Sequence, residues 1–261
     1  MDTYFDLGGY SFPVTTQSTE AQTWFDRGIL WTYGYNHEEA VTCFERAIDA
    51  DPKCAMAHWG AGYASGPNYN MPWDLFDDAG RAAAARAGYA HARKALDLID
   101  GATEWEVALI QALPARHPQP DPLDSEAMKA WNANFADAMR DVFAAHPESH
   151  EVRTVFAESL LNLTPWKMWD LRNGKPAASA RTVEAQTVLE EALEGDPSAM
   201  RHPGLLHLYV HLMEMSPFPE KALKAGDALR RLVPDAGHLI HMPTHIDILC
   251  GHYQNVVDWN E

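Results

Sequence analysis

Residues 24–52, WFDRGILWTYGYNHEEAVTCFERAIDADP, carry the clearest fold signal in the chain. Small, aromatic and proline residues recur there at regular spacing, namely Trp24, Gly28, Trp31, Ala40, Phe44, Ala47 and Pro52. Small residues let two antiparallel helices approach closely, and proline ends the unit because it cannot continue a helix. The stretch therefore predicts a pair of antiparallel helices.

This spacing resembles that of a tetratricopeptide repeat (TPR). Weaker matches follow at Gly62, at Ala185, Ala192 and Pro197, and at Ala222 and Pro234. The prolines that would end units lie further apart than the about 34 residues of one TPR, so the units must carry insertions. The resemblance implies an all-α fold, a TPR-like right-handed α-solenoid of antiparallel helix pairs with irregular insertions, in a single unit over residues 1–261.

Two insertions interrupt the helical pattern. Residues 116–123, RHPQPDPL, predict an extended Pro-rich connector, because each proline disfavours helix in the residue before it. Residues 164–176 contain Trp166 and Trp169 and are expected to pack back on the helices. Helices are predicted at 79–99, at 103–113 with a capping box of Thr103 and Glu106, and at 124–145, 149–163, 180–194, 203–215, 220–232 and 238–250. No strand is predicted.

Composition excludes several function classes. The 261 residues include 20 Lys and Arg against 37 Asp and Glu, a formal charge of −17 that repels nucleic acid and anionic membranes. No apolar run reaches the roughly 18 to 20 residues of a membrane span, and the first residues lack a signal-peptide pattern. The three cysteines, Cys43, Cys54 and Cys250, lack the spacing of a thiolate zinc site. We therefore expect a soluble cytoplasmic protein that binds neither nucleic acid nor membranes.

Histidine is concentrated near the end of the chain. Of 13 histidines, seven fall within residues 202–252, where an even spread would place about 2.5. His207, His211 and Glu214 share a predicted helix, at azimuths of about 0°, 40° and −20°, which form one stripe. In a TPR solenoid the first helix of each pair lines the concave face. We therefore expect this stripe in the groove.

A second stripe follows on the next inner helix. His238, His241 and His245 lie at azimuths of about 0°, −60° and −20°. Pro243 lies within this segment, and a helix that begins near His238 would place it at or just past the first turn. A helix that begins nearer Met242 would instead leave His238 and His241 on the preceding loop. In either case the two stripes are expected to face each other.

Imidazole and carboxylate groups in this pattern are typical metal ligands. Six donors exceed the needs of one tetrahedral ion, so the sequence predicts either one or two transition-metal ions per chain. Copper or iron is favoured over zinc or manganese, because the donor count exceeds that of a three-ligand open zinc site. Glu214 is expected to be a ligand or the general base of a metal-dependent oxidoreductase.

Five further residues are candidates for contact with a substrate or with the ligands. His58 and Glu158 lie on predicted inner helices, and Asn68, Tyr69 and Asn70 lie in the loop GPNYNMPW at 66–73. Their plainer interpretations are a hydrogen-bonded core histidine and a packed turn. The histidines expected at helix ends or on solvated faces are His37, His91, His117, His146, His150 and His202.

Two segments are similar to those of a group of bacterial TPR proteins. The group shares a HxxxHxxE helix, here His207 to Glu214, and a GHxxHMPxH segment, here Gly237 to His245. Its members are generally longer and have no settled activity, so the resemblance implies the fold and the site but no reaction. It leaves open a non-catalytic TPR scaffold whose histidines bind a peptide, protein or small molecule in the groove. Glu261 would fall within an uncapped helix pair, so three expectations stay open: the end frays, a second copy of the chain covers it, or residues 1–261 are the N-terminal part of a longer array.

Overall fold

The computed structural model describes residues 4–260, and most of this part of the chain is helical. The α-helices are α1 Thr19–Tyr33, α2 His37–Ala50, α3 Ala55–Ala64, α4 Asp78–Asp97, α5 Glu104–Ala112, α6 Ser125–Ala145, α7 His150–Leu161, α8 Thr182–Gly195, α9 Pro203–Met213, α10 Leu223–Leu229, α11 Gly237–Leu249 and α12 Tyr253–Asp258. Short 3-10 helices span Trp73–Leu75, Leu113–Ala115, Pro197–Arg201 and Pro219–Ala222. The prediction of an all-α fold is confirmed; the expectation for Glu261 concerns a residue outside this range.

One small hairpin departs from the helical prediction. Strands β1 Trp169–Asp170 and β2 Lys175–Pro176 pair antiparallel within the insertion at 164–176. The tight turn between them depends on Gly174, whose φ of 68° is open to glycine. The prediction that the chain contains no strand is therefore wrong in this insertion. The indole N–H of Trp169 donates to the backbone oxygen of Leu212 at 2.7 Å, so the hairpin packs on α9.

Local sequence explains where the helices begin. Side chains of Ser18, Asn36, Asp77, Asp124 and Ser149 each accept a hydrogen bond from a backbone N–H in the first turn of the helix that follows. The capping box predicted for Thr103 and Glu106 is present at the start of α5. These bonds satisfy N–H groups that lack a partner within the helix.

The first three helices meet around one aromatic ring. Phe44 of α2 lies against Gly28 of α1 and Gly60 of α3, and a methyl group on either glycine would come within 2.6 Å or 2.4 Å of the ring. No ordinary contact is that short, so only glycine permits this approach. Gly28 and Phe44 of the opening sequence signal thus hold the predicted helix pair together.

Two segments near the end of the chain refine the predicted helices. The helix predicted at 220–232 divides into the 3-10 helix Pro219–Ala222 and α10. The hypothesis that the next helix begins near His238 is confirmed, because α11 begins at Gly237 and continues through Pro243. The ring of Pro243 lies close to Gly226 of α10, which leaves room for it.

Helix contacts bring the chain together around α9. Consecutive helices pack against each other along most of the chain, and α7 and α11 also pack directly on α9. The first helix, α1, also contacts α9, so helices that are far apart in sequence pack around α9. None of the helices within residues 4–260 combines the length and apolarity needed to cross a bilayer.

Candidate metal centre

Helices α9 and α11 lie side by side and run in the same direction. The ring centroids of His207 and His238 are 4.9 Å apart. Later in both segments, Glu214 Oε2 lies 2.7 Å from His245 Nδ1. Both pairs are 31 residues apart in sequence. The two predicted stripes therefore meet, although not at a single point.

Three histidines converge at one end of this contact. One ligand atom each from His207, His211 and His238 lies within 4.8 Å of the other two. His207 and His211 are only 1% and 2% exposed, while His238 is half-buried. This group, which we call the histidine triad, lies in the interior, whereas the sequence suggested an open groove.

Several ring nitrogens of the triad have no hydrogen-bond partner. Both nitrogens of His207 and Nε2 of His211 are buried without a well-formed hydrogen bond, although the backbone of Tyr33 lies close enough to His207 to raise its pKa. Nε2 of His238 lies 3.4 Å from the side-chain nitrogen of Asn70. Buried polar groups are almost always satisfied, so a cluster of free imidazole nitrogens calls for a further partner such as a metal ion.

Burial keeps the triad neutral. It lowers the pKa of His207 well below its ordinary value, and the neighbouring imidazoles add to that effect. Burial also lowers the pKa of His211, and it lowers that of His238 to about 3. Neutral imidazole has a free lone pair at pH 7, and this is the form that binds metals.

Glu214 connects the triad to the rest of the histidine cluster. Its Oε1 lies 3.2 Å from Nδ1 of His211, and its Oε2 lies 2.7 Å from Nδ1 of His245. Burial raises the pKa of Glu214, but these two hydrogen bonds outweigh it and hold the pKa at about 2. An ionised carboxylate only accepts, so both Nδ1 atoms donate and Nε2 of His211 carries the lone pair.

His241 and His245 lie apart from the triad on the solvent side. Their Nε2 atoms are 2.9 Å apart, and Nδ1 of His241 donates to Oδ1 of Asn260 at 2.7 Å. The hydrogen bond to Glu214 raises the pKa of His245, so this ring carries a proton more readily than a free histidine. His245 shares the azimuth of His238 but lies about 10 Å further along the helix axis, which is why the six predicted donors do not converge. Among residues 4–260, the triad is the group placed to hold a metal ion.

Tyr35 packs against every member of the triad, and sequence reasoning missed it. Its ring centroid lies 4.6 Å from that of His207 and 5.5 Å from those of His211 and His238. The residue occupies the turn between α1 and α2 with a φ of 58°, and its buried hydroxyl has no partner. The sequence signal that could have identified Tyr35 is its position between Gly34, which ends α1, and Asn36, which caps α2.

The predicted loop residues lie beside the triad. Asn68 Oδ1 accepts from the backbone N–H groups of Asn70 and Met71 at 2.9 and 2.8 Å, which fixes a tight turn. This turn places Asn70 next to His238 and sets the ring of Tyr69 4.8 Å from that of His211. A surface depression of about 470 Å³, lined by Tyr35, Asn68, Asn70 and His238 among others, connects solvent with the triad.

The other two candidates do not join the triad. His58 of α3 makes its hydrogen bond to His91 of α4, with 3.2 Å between the two Nδ1 atoms. Glu158 of α7 accepts a short hydrogen bond from the hydroxyl of Tyr63, and burial raises its pKa. Its other oxygen, Oε1, is buried without a well-formed hydrogen bond, although the Asn162 side chain lies close enough to lower the pKa of the carboxyl.

Two histidines expected on solvated surfaces are in fact buried. His117 and His202 are almost fully enclosed, so that expectation is wrong for both. The reason at His117 is that the predicted connector begins in the interior, where Arg116 donates to the Pro67 carbonyl and stacks on Tyr63. Burial, and then the charge of Arg116, lowers the pKa of His117 to about 3.

Comparison with protein-family models and with curated proteins adds no relative. No protein-family model matches the chain, and no curated protein matches it. The TPR relationship therefore stays a prediction that depends on residues 24–52 and on the two histidine segments.

Proposed function

We propose that His207, His211 and His238 bind one transition-metal ion and that the chain is a metal-dependent enzyme. The observation that carries the proposal is the convergence of three neutral imidazoles, two of them with buried nitrogens that have no other partner. Three protein ligands leave a coordination position for water or substrate, as in catalytic rather than structural sites.

The spacing of the triad suits an ion after small side-chain movements. Tetrahedral coordination at 2.0–2.1 Å places ligand nitrogens roughly 3.3 Å apart. The ligand atoms now lie within 4.8 Å of one another, so rotations that move each ring by about 1 Å would close the set. Metal binding would also satisfy one buried nitrogen of His207 and Nε2 of His211.

The donor set narrows the choice of metal. Neutral imidazole suits zinc, copper and iron, whereas manganese prefers oxygen ligands. The sequence favoured copper or iron because six donors were expected to meet, and only three converge. Zinc is therefore an equal candidate, and one ion per chain replaces the prediction of one or two.

The residues around the triad would each have a separate role. Glu214 would hold His211 in the tautomer that presents Nε2, a role in which carboxylates raise metal affinity. Asn70 and the depression above His238 would admit a small substrate. An ion held by His207, His211 and His238 would supply a Lewis acid that polarises that substrate or a bound water.

The neutral state of the triad favours this proposal over a peptide-binding scaffold. A scaffold that holds an acidic ligand would need imidazolium near neutral pH. Burial lowers the pKa of all three triad histidines, so they carry no charge with which to attract an anion.

We also propose the TPR-like right-handed α-solenoid as the arrangement of the helices. Its support is the packing of α1 on α3, α7 on α9 and α9 on α11, which are alternate helices of successive pairs. The shared direction of α9 and α11 and their constant offset of 31 residues fit the same arrangement.

Metal content tests the proposed function. The chain would be purified without a histidine tag or chelator and analysed by plasma mass spectrometry beside His207→Ala and the control His146→Ala. We expect close to one ion per chain in the wild type and the control and a loss of most of it in His207→Ala, with helicity unchanged by circular dichroism. Equal metal content in all three, or no metal after reconstitution, would refute the proposal.

A further inference from the structure

A second cavity, of about 560 Å³, lies between α6, the loop around Trp73 and the insertion that carries Trp166. Its volume falls in the range of small-molecule sites, roughly 300 to 1,000 Å³. None of the triad residues lines this cavity. Trp166 does reach toward the triad, because its ring centroid lies 6.0 Å from that of Tyr69, which packs on His211.

Buried amides with unmet hydrogen bonds line this cavity. Asn132 and Asn162 are 7% and 3% exposed. Oδ1 of Asn132 and both side-chain polar atoms of Asn162 lack a well-formed hydrogen bond, although the Asn162 side chain lies close enough to Glu158 to lower the pKa of that carboxyl. The buried indole N–H of Trp73, another lining residue, also has none. Native proteins rarely leave so many polar atoms unsatisfied in one place, so the cavity is prepared for a polar ligand.

The mouth of the cavity is apolar and balanced in charge. Trp166, at 40% exposed, and Leu75 present apolar surface there. Lys129 pairs with Asp74 at 3.3 Å and with Glu126 at 2.5 Å, and Lys167 also lines the cavity, so two lysines balance two carboxylates there. In a chain with a formal charge of −17, such a mouth offers no strong field for either an anion or a cation.

We propose that this cavity binds a small neutral molecule that carries a carboxamide on a flat apolar group. A carboxamide offers a donor and an acceptor side by side, which complement the free amide atoms of Asn132 and Asn162. The flat group would pack on the indole of Trp166 at low entropic cost. This proposal does not depend on metal binding, so it and the proposed metal site can be tested independently.

Binding of benzamide tests the proposal directly. Its dissociation constant for the full chain would be measured by ligand-observed NMR beside those of acetophenone, which lacks the donor, and benzoate, which is charged. We expect benzamide to bind about tenfold more tightly than either, the effect of one or two hydrogen bonds in a buried site. Equal binding of the three compounds, or no binding of benzamide, would overturn the proposal.

Variants locate the site. Asn132→Ala is expected to weaken benzamide binding about tenfold, while Asn134→Ala, an exposed asparagine on the same helix, leaves it unchanged. Should Asn132→Ala fail to fold, Trp166→Gly removes the mouth aromatic at a position whose φ of 57° glycine accepts. Unchanged binding in Trp166→Gly, or in a folded Asn132→Ala, would place benzamide elsewhere and refute the assignment.

Discussion

Nδ1 of His211 donates to Oε1 of Glu214 at 3.2 Å, and this contact decides which nitrogen of His211 is free to bind a metal. The carboxylate is ionised at neutral pH, so the proton stays on Nδ1 and the lone pair on Nε2. Nε2 is buried without another partner. Glu214 is thus placed to orient a ligand rather than to be one.

Glu214→Gln should therefore weaken metal binding without removing the ligands. An amide can turn its N–H₂ toward His211 and loses the charge that stabilises the Nδ1–H tautomer. We expect affinity to fall about 10- to 100-fold, as for other carboxylates that support metal-bound histidines. Competition with a chromophoric chelator measures the change, with the exposed Glu220→Gln as control. Equal affinity in both variants would show that Glu214 has no such role.

His238→Ala and His245→Ala should differ in metal content, although sequence reasoning treats both residues as ligands. His238 belongs to the triad, whereas His245 donates to Glu214 and lies beside His241 on the solvent side. We expect His238→Ala to lose the ion and His245→Ala to retain most of it. Metal analysis of the two proteins decides the matter, and the reverse pattern would move the centre to the outer pair.

Gly28→Ala should destabilise the first helix pair. The added methyl group would meet the ring of Phe44 at about 2.6 Å, and this ring is fully buried and also lies close to Gly60 of α3. Overpacking of this kind costs roughly 1–3 kcal/mol of unfolding free energy. Gly195→Ala on α8, where nothing lies within 4 Å, serves as the control and should be neutral or stabilising. Thermal unfolding measures both, and equal melting temperatures would argue against this packing.

Stability should fall as the pH drops below about 6.5, in part through His117. Its pKa is about 3 in the folded chain and 6.5 as the ordinary value, so between these limits the unfolded chain binds the extra proton. Unfolding free energy then decreases by about 1.4 kcal/mol per pH unit for each such histidine as the pH is lowered. His117→Gln should make the dependence shallower by that amount in urea unfolding of metal-free protein between pH 6 and 4. Parallel pH profiles for the two proteins would contradict the assigned burial.

Much of the fold was predictable because local signals agree with tertiary packing. The alanine-rich segment predicted at 79–99 forms α4 at Asp78–Asp97, and the segment predicted at 124–145 forms α6 at Ser125–Ala145. The β1–β2 hairpin escaped prediction because its strands are two residues long, too short for an alternating pattern. The burial of His117 was not predicted, because the proline-rich composition of residues 116–123 does not show where this segment leaves the core.

The candidate site was predictable in its residues more than in its geometry. Helical azimuth correctly placed His207 and His211 on one stripe and brought His238 opposite them. Azimuth contains no information about position along the axis, so it could not separate His245 from the triad. Tyr35 was missed because its contacts depend on how α1 packs against α9, which no local pattern records.

Anomalous X-ray diffraction from a crystal of the metal-loaded chain, at the absorption edge of the bound element, would locate the ion itself. We expect one strong peak per chain, about 2.0–2.2 Å from one ring nitrogen each of His207, His211 and His238. Glu214 should remain hydrogen-bonded to Nδ1 of His211 in the same crystal. A peak between His241 and His245 instead, or no peak at the triad in fully loaded protein, would show that the triad is not the metal site.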